Sequence, residues 1–229
     1  FVTFKKLMPA GSLPEEFMFS IEEMDFTSPA AKMNVLLSEL PDFTALPGVA
    51  PGPQHMGTIH ISPTMGYLER AYDDAKYGMP SMNPMVECTL PTSIDDTLAP
   101  EGKHLMGLFC QYAPYELKGT TWDSEKENFA HRIIDTVTEV APNFRRSVLD
   151  YELLTPQDME RIFGLTGGNI FHGSMTLNQL FFMRPVLGWS DYRTPIKGLY
   201  LCGSGTHPGG GVTGAPGRNT SRVILSELK

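Results

Sequence analysis

The sequence lacks long hydrophobic runs and clusters of basic residues. An apolar run such as Leu105–Cys110 is far shorter than the roughly 18 residues that a membrane-spanning helix needs. The 18 Lys and Arg residues are outnumbered by 26 Asp and Glu, and the formal net charge of −8 leaves no basic stripe that could follow a phosphate backbone. These absences argue against a transmembrane segment and against nucleic acid as a partner.

Cysteine is also scarce. Cys88, Cys110 and Cys202 are odd in number, form no C-x-x-C pair, and each lies in an apolar, strand-like run where a thiol behaves as a small hydrophobe. We therefore expect three reduced and buried thiols, no intrachain disulfide, and an intracellular, reducing compartment. The six histidines show no metal-ligand spacing, so no metal site is expected.

The composition predicts a folded globular protein. Of the 229 residues, 41% are hydrophobic, 10% aromatic and 19% charged. This length allows one large domain, or one domain with part of another. Because the chain begins at Phe1 and not at Met, we expect it to continue a longer protein, with any targeting segment upstream.

Short apolar runs separated by Pro and Gly predict β-strands. The predicted strands are Lys32–Ser38, Gly57–Ile61, Val86–Leu90, His104–Gln111 and Val148–Leu153. They alternate irregularly with helical patterns and with short connections. We therefore predict an α+β fold for residues 1–195, with a mixed β-sheet and helices on one face.

The strongest helical periodicity lies in the segment from Ser124 to Ala141. Four apolar side chains repeat on one face: Phe129, Ile133, Val137 and Val140. Ser124 and Glu127 are predicted to form a capping box, and Pro142 ends the helix. We expect the four apolar side chains to be buried against the sheet.

The most informative region is the tail from Gly198 onward. A predicted buried strand, Leu199–Cys202, is followed by seven glycines between positions 203 and 217 and then by a helix. Glycines let the backbone turn sharply and approach a ligand with no Cβ in the way, and free N–H groups at a helix start attract an anion or a carbonyl oxygen. The pattern is typical of a cofactor cradle, although a turn that only packs a terminal helix stays open.

Gly209, Gly211 and Gly214 match G-x-G-x-x-G, but they do not indicate a dinucleotide fingerprint. That motif opens a β-α-β unit of about 30 residues. Only fifteen residues follow Gly214. The tail must therefore dock onto a sheet whose other strands lie elsewhere.

The stretch LYLCGSGTHPGGGVTGAPG, at 199–217, resembles the C-terminal signature of the phytoene desaturase and carotenoid desaturase group of flavoproteins. Other segments extend this resemblance over essentially the whole chain: LPDFTALPG, AYDDAKYG, LAPEGKH, QYAPYEL, GLTGGNIFHG and RPVLGWSDYRTPI. The C-terminal signature is the most specific of these matches.

The resemblance implies a two-domain, FAD-dependent oxidoreductase. It implies that residues 1–195 form the substrate-side domain and that residues 196–229 supply a strand, turn and helix that complete the FAD-binding domain. The implied flavin-contacting residues are Gly203, Ser204, His207, Pro208, Gly209, Gly210, Gly211 and Val212. An N-terminal FAD domain, absent from these residues, would be a necessary partner, and a mitochondrial location is implied as well.

A catalytic side chain is hard to assign from the sequence. His172, in GNIFHG, is a weak candidate that could face the flavin or the substrate, and a structural hydrogen-bonding role is its alternative. The flavin would carry out hydride or electron transfer from a hydrophobic or amine-like small molecule.

Two other functions stay open. One is a non-enzymatic interaction or regulatory protein that retains the fold, and the other is a stand-alone small binding domain. Pairing of the tail with a second copy of the chain, in a homo-oligomer, is also left open.

We predict that this chain alone does not retain FAD. No strand, glycine-rich turn and helix occur in that order before Gly198, so the usual pyrophosphate site would be missing. The remaining contacts cannot offset the loss of translational and rotational freedom on binding. Gel filtration of the chain with excess FAD, followed by a visible absorption spectrum, should show no bound-flavin band. A yellow protein with stoichiometric FAD would contradict this prediction.

Overall fold

The computed structural model describes residues 1–228 and contains two compact units. One unit is Pro29–Met159, and the other joins Phe1–Ser28 to the chain from Glu160 onward. The boundary predicted near residue 195 concerned the domains of a longer flavoprotein and stays a prediction. Within this chain, the residues just before 195 group with the glycine-rich tail.

The unit Pro29–Met159 is built on a five-stranded sheet in the order β2-β3-β4-β1-β5. The strands are β1 (Ala30–Leu37), β2 (Ile59–Ile61), β3 (Met85–Thr89), β4 (His104–Gln111) and β5 (Val148–Leu154). They agree closely with the five predicted strands, and the α+β class is confirmed.

The sheet is antiparallel in every pair, which corrects the predicted mixed sheet. Alternation of strands and helices in the sequence suggested some parallel pairs. However, helix α3 (Met65–Lys76) connects β2 to β3, and those two strands pair antiparallel. A helical connection therefore does not produce a parallel pair here.

Helix α4 (Trp122–Val140) covers the buried face of the sheet. Phe129, Ile133 and Val137 are completely buried, and Val140 is partly buried against the same core. The predicted burial of this face is confirmed, with Val140 at its edge. Along the chain, helix α5 (Phe144–Ser147) precedes β5 and helix α6 (Pro156–Phe163) follows it.

The start of α4 differs from the prediction. Thr121 is the N-cap residue, and Ser124 is the third helical residue, which completes a capping box with Thr121 and not with Glu127. Glu127 instead accepts a hydrogen bond from the Tyr151 hydroxyl. The helix begins earlier because Trp122 is buried and its indole N–H donates to the Pro114 carbonyl at 2.9 Å.

The second unit contains helices α1 (Val2–Lys6), α2 (Glu15–Glu22) and α7 (Ala215–Glu227). Its core is small and aromatic. The rings of Phe4 and Phe17 meet edge to face at 4.9 Å, and those of Phe17 and Trp189 at 5.3 Å. No helix described between residues 1 and 228 combines the length and apolar character needed to cross a membrane.

The predicted strand Leu199–Cys202 is wrong within this chain. Only an isolated bridge between Tyr200 and Arg193 forms there, and Cys202 is exposed where a buried thiol was expected. One bridging residue does not supply the ladder of hydrogen bonds that a strand needs.

The three cysteines of the structure are free thiols. Cys88 and Cys110 are buried, and they lie in the neighbouring strands β3 and β4. Burial raises the pKa of Cys88 to about 12 and raises that of Cys110 well above its usual range. Both side chains therefore stay protonated at neutral pH and act as small apolar groups.

We predict that Phe129→Ala destabilises the sheet unit by about 3–5 kcal/mol, because it leaves a cavity beneath α4. Leu149→Ala is the control, since Leu149 is 50% exposed in β5 and its truncation should cost less than about 0.5 kcal/mol. Urea unfolding followed by circular dichroism measures both changes. Equal stability of the two variants would contradict the burial of Phe129.

Candidate functional site

A cavity of about 500 Å³ lies in the unit that carries the glycine-rich tail. His172, Gly203 and Ser204 line it, so the structure brings together three of the residues predicted from the sequence. Its apolar walls include Phe4, Phe26 and Leu201. The volume falls within the range of about 300–1,000 Å³ that is typical of small-molecule sites.

The loop that carries His172 is fastened to the segment after α2 by a reciprocal pair of hydrogen bonds. The Asp25 N–H donates to the Gln179 side-chain oxygen at 2.6 Å, and the Gln179 amide nitrogen donates back to the Asp25 carbonyl at 2.9 Å. The Ser174 N–H also donates to the Asp25 carbonyl, at 2.8 Å. We call these three residues the Asp25 clamp.

Asn169 shapes the turn at His172. Its side-chain nitrogen donates to the Thr27 carbonyl at 3.0 Å, and its oxygen accepts from the N–H of Phe171 at 2.9 Å and from that of Gly173 at 3.4 Å. His172, between these two donors, has a φ of +55°. A left-handed conformation in a residue with a Cβ costs free energy, and the side-chain hydrogen bonds of Asn169 offset it.

The environment of His172 favours a neutral imidazole. Burial lowers the pKa of His172 below its usual value of 6.5, and the positive charge of the Arg184 guanidinium lowers it further. At neutral pH the ring can therefore both accept and donate one hydrogen bond. A role in proton transfer and a structural role both remain consistent with this position.

Arg184 is a site residue that the sequence reasoning missed. It is completely buried, and its Nη2 atom donates to the Gly173 carbonyl at 2.8 Å. Its Nε and Nη1 atoms have no hydrogen-bond partner among the described residues. The available signal was an arginine placed within the otherwise apolar run FFMRPVL, residues 181–187.

The glycines of the turn after His207 are explained largely by packing inside the protein. A Cβ on Gly209 would lie 3.0 Å from Arg184 Nη1, and one on Gly210 would lie 2.4 Å from a ring atom of Phe171. Gly209 and Gly211 also have φ values of +110° and +102°, which favour glycine. Internal packing thus favours glycine at Gly209 and Gly210, two positions that the resemblance assigns to flavin contact.

The predicted cofactor residues therefore divide into two groups. Gly203 and Ser204 line the cavity, and a Cβ on Gly203 would meet no heavy atom within 4 Å. The other six, from His207 to Val212, form the turn and are not among the cavity-lining residues. Within this second group, Gly209 is buried and Val212 is fully exposed.

Two hydroxyl groups hold the backbone on either side of Cys202. The Thr206 hydroxyl donates to the Gly203 carbonyl at 2.7 Å, and the Thr220 hydroxyl of α7 donates to the Leu201 carbonyl at 2.8 Å. The cavity wall is thereby tied to the terminal helix. These bonds keep the open space beside Gly203.

These features are compatible with a flavin ring, which gains negative charge when it is reduced. Gly203 leaves room on the cavity wall, and Arg184 is a buried cation with unused donors behind the glycine turn. A group that gains negative charge would complement such a cation. Among the described residues, no cluster of three or more His, Cys, Asp and Glu side chains could hold a metal ion.

A second cavity, of about 420 Å³, lies in the sheet unit. Its lining is mainly apolar and includes Phe43, Ile59, Ile61 and Val140. Glu139 supplies a carboxylate at an exposed position of this lining.

Comparisons with known proteins confirm the resemblance predicted from the sequence. The chain is 51% identical over its whole length to pyridine nucleotide-disulfide oxidoreductase domain-containing protein 2 of Rattus norvegicus, and it spans 40% of that protein. It is 31% identical over 144 residues to the phytoene desaturase (lycopene-forming) of a Paracoccus species. This alignment covers 60% of this chain and 27% of the desaturase. The chain is thus similar to part of a phytoene desaturase-like oxidoreductase.

Family models and solved structures were also compared with the chain. No protein-family model matches the chain. A solved structure of an oxidoreductase from Methanosarcina mazei aligns with 94% of this chain and 38% of its own, at 18% identity and a TM-score of 0.48.

We predict that the His172 imidazole titrates below pH 6.5 and that Arg184→Met raises its pKa, because the substitution removes a nearby positive charge. NMR titration of the imidazole signals measures both values. Since the unfolded chain binds this proton at a higher pH, His172 should also make the fold less stable as the pH falls through about 6.5. An unchanged pKa in Arg184→Met would contradict the proposed coupling.

Proposed function

We propose that this chain is the substrate-side part of an FAD-dependent oxidoreductase of the phytoene desaturase-like group. In this proposal, residues 196–229 complete the FAD domain of a longer protein, whose N-terminal part supplies the pyrophosphate site. The observation that carries the proposal is the cavity that joins His172 to Gly203 and Ser204, with the Arg184 cation buried nearby. The similarity of the whole of this chain to 40% of a rat oxidoreductase-domain protein supports it.

The chain's own residues would position the cofactor. Gly203 and Ser204 would contact the flavin from the cavity wall, and the turn from His207 to Val212 would present backbone N–H groups to it. FAD, when bound, would supply the acceptor for two electrons. Because glycine leaves the backbone uncovered, such contacts need little side-chain rearrangement.

His172 is the candidate for contact with the reacting groups. A neutral imidazole on the cavity wall can accept a proton or hold a hydrogen bond to a substrate nitrogen or oxygen. We propose that it orients the substrate. The clamped loop on which it lies supports this role, since Asn169 fixes its backbone.

The substrate we propose is a hydrophobic or amine-like small molecule. The apolar walls of the cavity near His172 support the hydrophobic character. We further propose a mitochondrial, reducing location, which is consistent with three free thiols.

We predict that the longer protein binds one FAD per chain and that a suitable substrate reduces the flavin. The measurement is anaerobic loss of the oxidised-flavin absorption on addition of candidate amines and hydrophobic alkenes, with turnover tested under air. Reduction by none of a broad panel, with FAD bound, would favour a non-enzymatic protein that retains the fold. Absence of FAD from the folded longer protein would overturn the proposal.

We also predict that Gly203→Leu in the longer protein weakens FAD binding by about tenfold or more, because the new side chain would enter the cavity. Gly57→Leu is the matched control, since a Cβ there also meets no heavy atom within 4 Å but Gly57 lies in the sheet unit. Fluorescence titration of the apoprotein with FAD compares the two variants. Equal affinities would show that the cavity wall does not contact the flavin.

A further inference from the structure

Arg184 is the largest of the fully buried side chains in the part of the chain that the structure describes. It makes one hydrogen bond, from Nη2 to the Gly173 carbonyl. The other two nitrogens, Nε and Nη1, have no partner there, and no described carboxylate lies within 4.0 Å. Arginine stays protonated in proteins, so this is a buried positive charge without a counter-charge.

Such a charge needs a physical explanation. Removing a guanidinium from water is unfavourable unless a partner of opposite charge or a full set of hydrogen bonds replaces the water. Another arginine of the same unit illustrates the ordinary arrangement, since Arg193 pairs with both Asp191 and Glu227. Arg184 has neither kind of compensation within the described residues.

Two glycines pack closely around the guanidinium of Arg184. A Cβ on Gly173 would be 3.0 Å from Nη2, and a Cβ on Gly209 would be 3.0 Å from Nη1. The guanidinium is therefore packed against the glycine turn that is proposed to contact the flavin. On its other side, Gly173 adjoins His172 of the cavity wall.

We infer that Arg184 is the fixed positive charge that stabilises the reduced flavin in this site. The inference rests on the proposed function. A bound flavin that took up two electrons and one proton would carry one added negative charge, and the buried Arg184 cation would stabilise that charge because little water would screen it. Arg184 acts through its field across the Gly209 turn, and it is therefore a positioning residue.

The test is the two-electron midpoint potential of the longer, FAD-bound protein. Arg184→Met should lower the midpoint potential. The protein's preference for reduced over oxidised flavin should weaken at least tenfold, and a tenfold change corresponds to about 30 mV for a two-electron couple. Arg184→Lys should keep most of the potential because it keeps the charge. Replacement of a buried charge by a similarly sized apolar side chain is often neutral for stability, so the Met variant is expected to fold.

Arg218→Met is the matched control. It removes the same charge from an exposed position at the start of α7, where water screens it. Its potential should equal that of the wild-type protein. If Arg184→Met binds FAD with an unchanged potential, or if Arg218→Met lowers the potential equally, the inference is wrong.

A second measurement uses only the wild-type protein. Uptake of one proton per two electrons changes the potential by about 30 mV per pH unit, and uptake of two protons changes it by about 59 mV. In a plot of potential against pH, the bound flavin should keep the one-proton slope to a lower pH than free FAD measured alongside it, because Arg184 stabilises the anionic reduced form. Equal behaviour of bound and free FAD would overturn the inference, whereas a longer protein that binds no FAD would overturn the proposed function itself.

Discussion

The candidate site depends on the Asp25 clamp. Asp25 and Gln179 exchange two hydrogen bonds across 154 residues of sequence, and Ser174 adds a third to the same carbonyl. Without this clamp, the loop that carries His172 has little regular structure to hold it, since only short 3-10 turns occur there. Loops of this kind position functional groups when a rigid support fixes them. The support here is the Gln179 side-chain amide, bonded to backbone groups of Asp25, and not a sheet.

Arg184 links the clamped loop to the glycine-rich turn. Its guanidinium is bonded to the Gly173 carbonyl and is packed against Gly209, so a Cβ at either point would crowd it, and the φ values of +138° and +110° also favour glycine there. Phe171 imposes the same requirement on Gly210. The density of glycine in the tail thus has an internal cause at two positions, and Gly203 is the position that faces open space. The proposed cofactor contact is therefore strongest on the cavity wall.

Local patterns predicted much of the sheet unit. The five strands and the buried face of α4 follow from runs and periodicities within a few residues, and the structure has them close to the predicted positions. Strand direction could not be predicted in the same way, because it depends on pairing between distant segments. The strand predicted at Leu199–Cys202 does not form within this chain for a related reason, since a strand needs partners and only Tyr200 finds one.

The site was predicted in part. The sequence pattern and the family resemblance identified His172, Gly203 and Ser204, which line one cavity. They did not identify Arg184, because the burial of an arginine is decided by contacts with residues far along the chain and not by its neighbours in sequence.

The most direct test of the account is an experimental structure of the longer protein with FAD bound. We expect the flavin ring against Gly203, Ser204 and the turn from His207 to Val212, on the side nearest Arg184. A flavin ring bound elsewhere, with this turn in contact only with protein, would contradict the account.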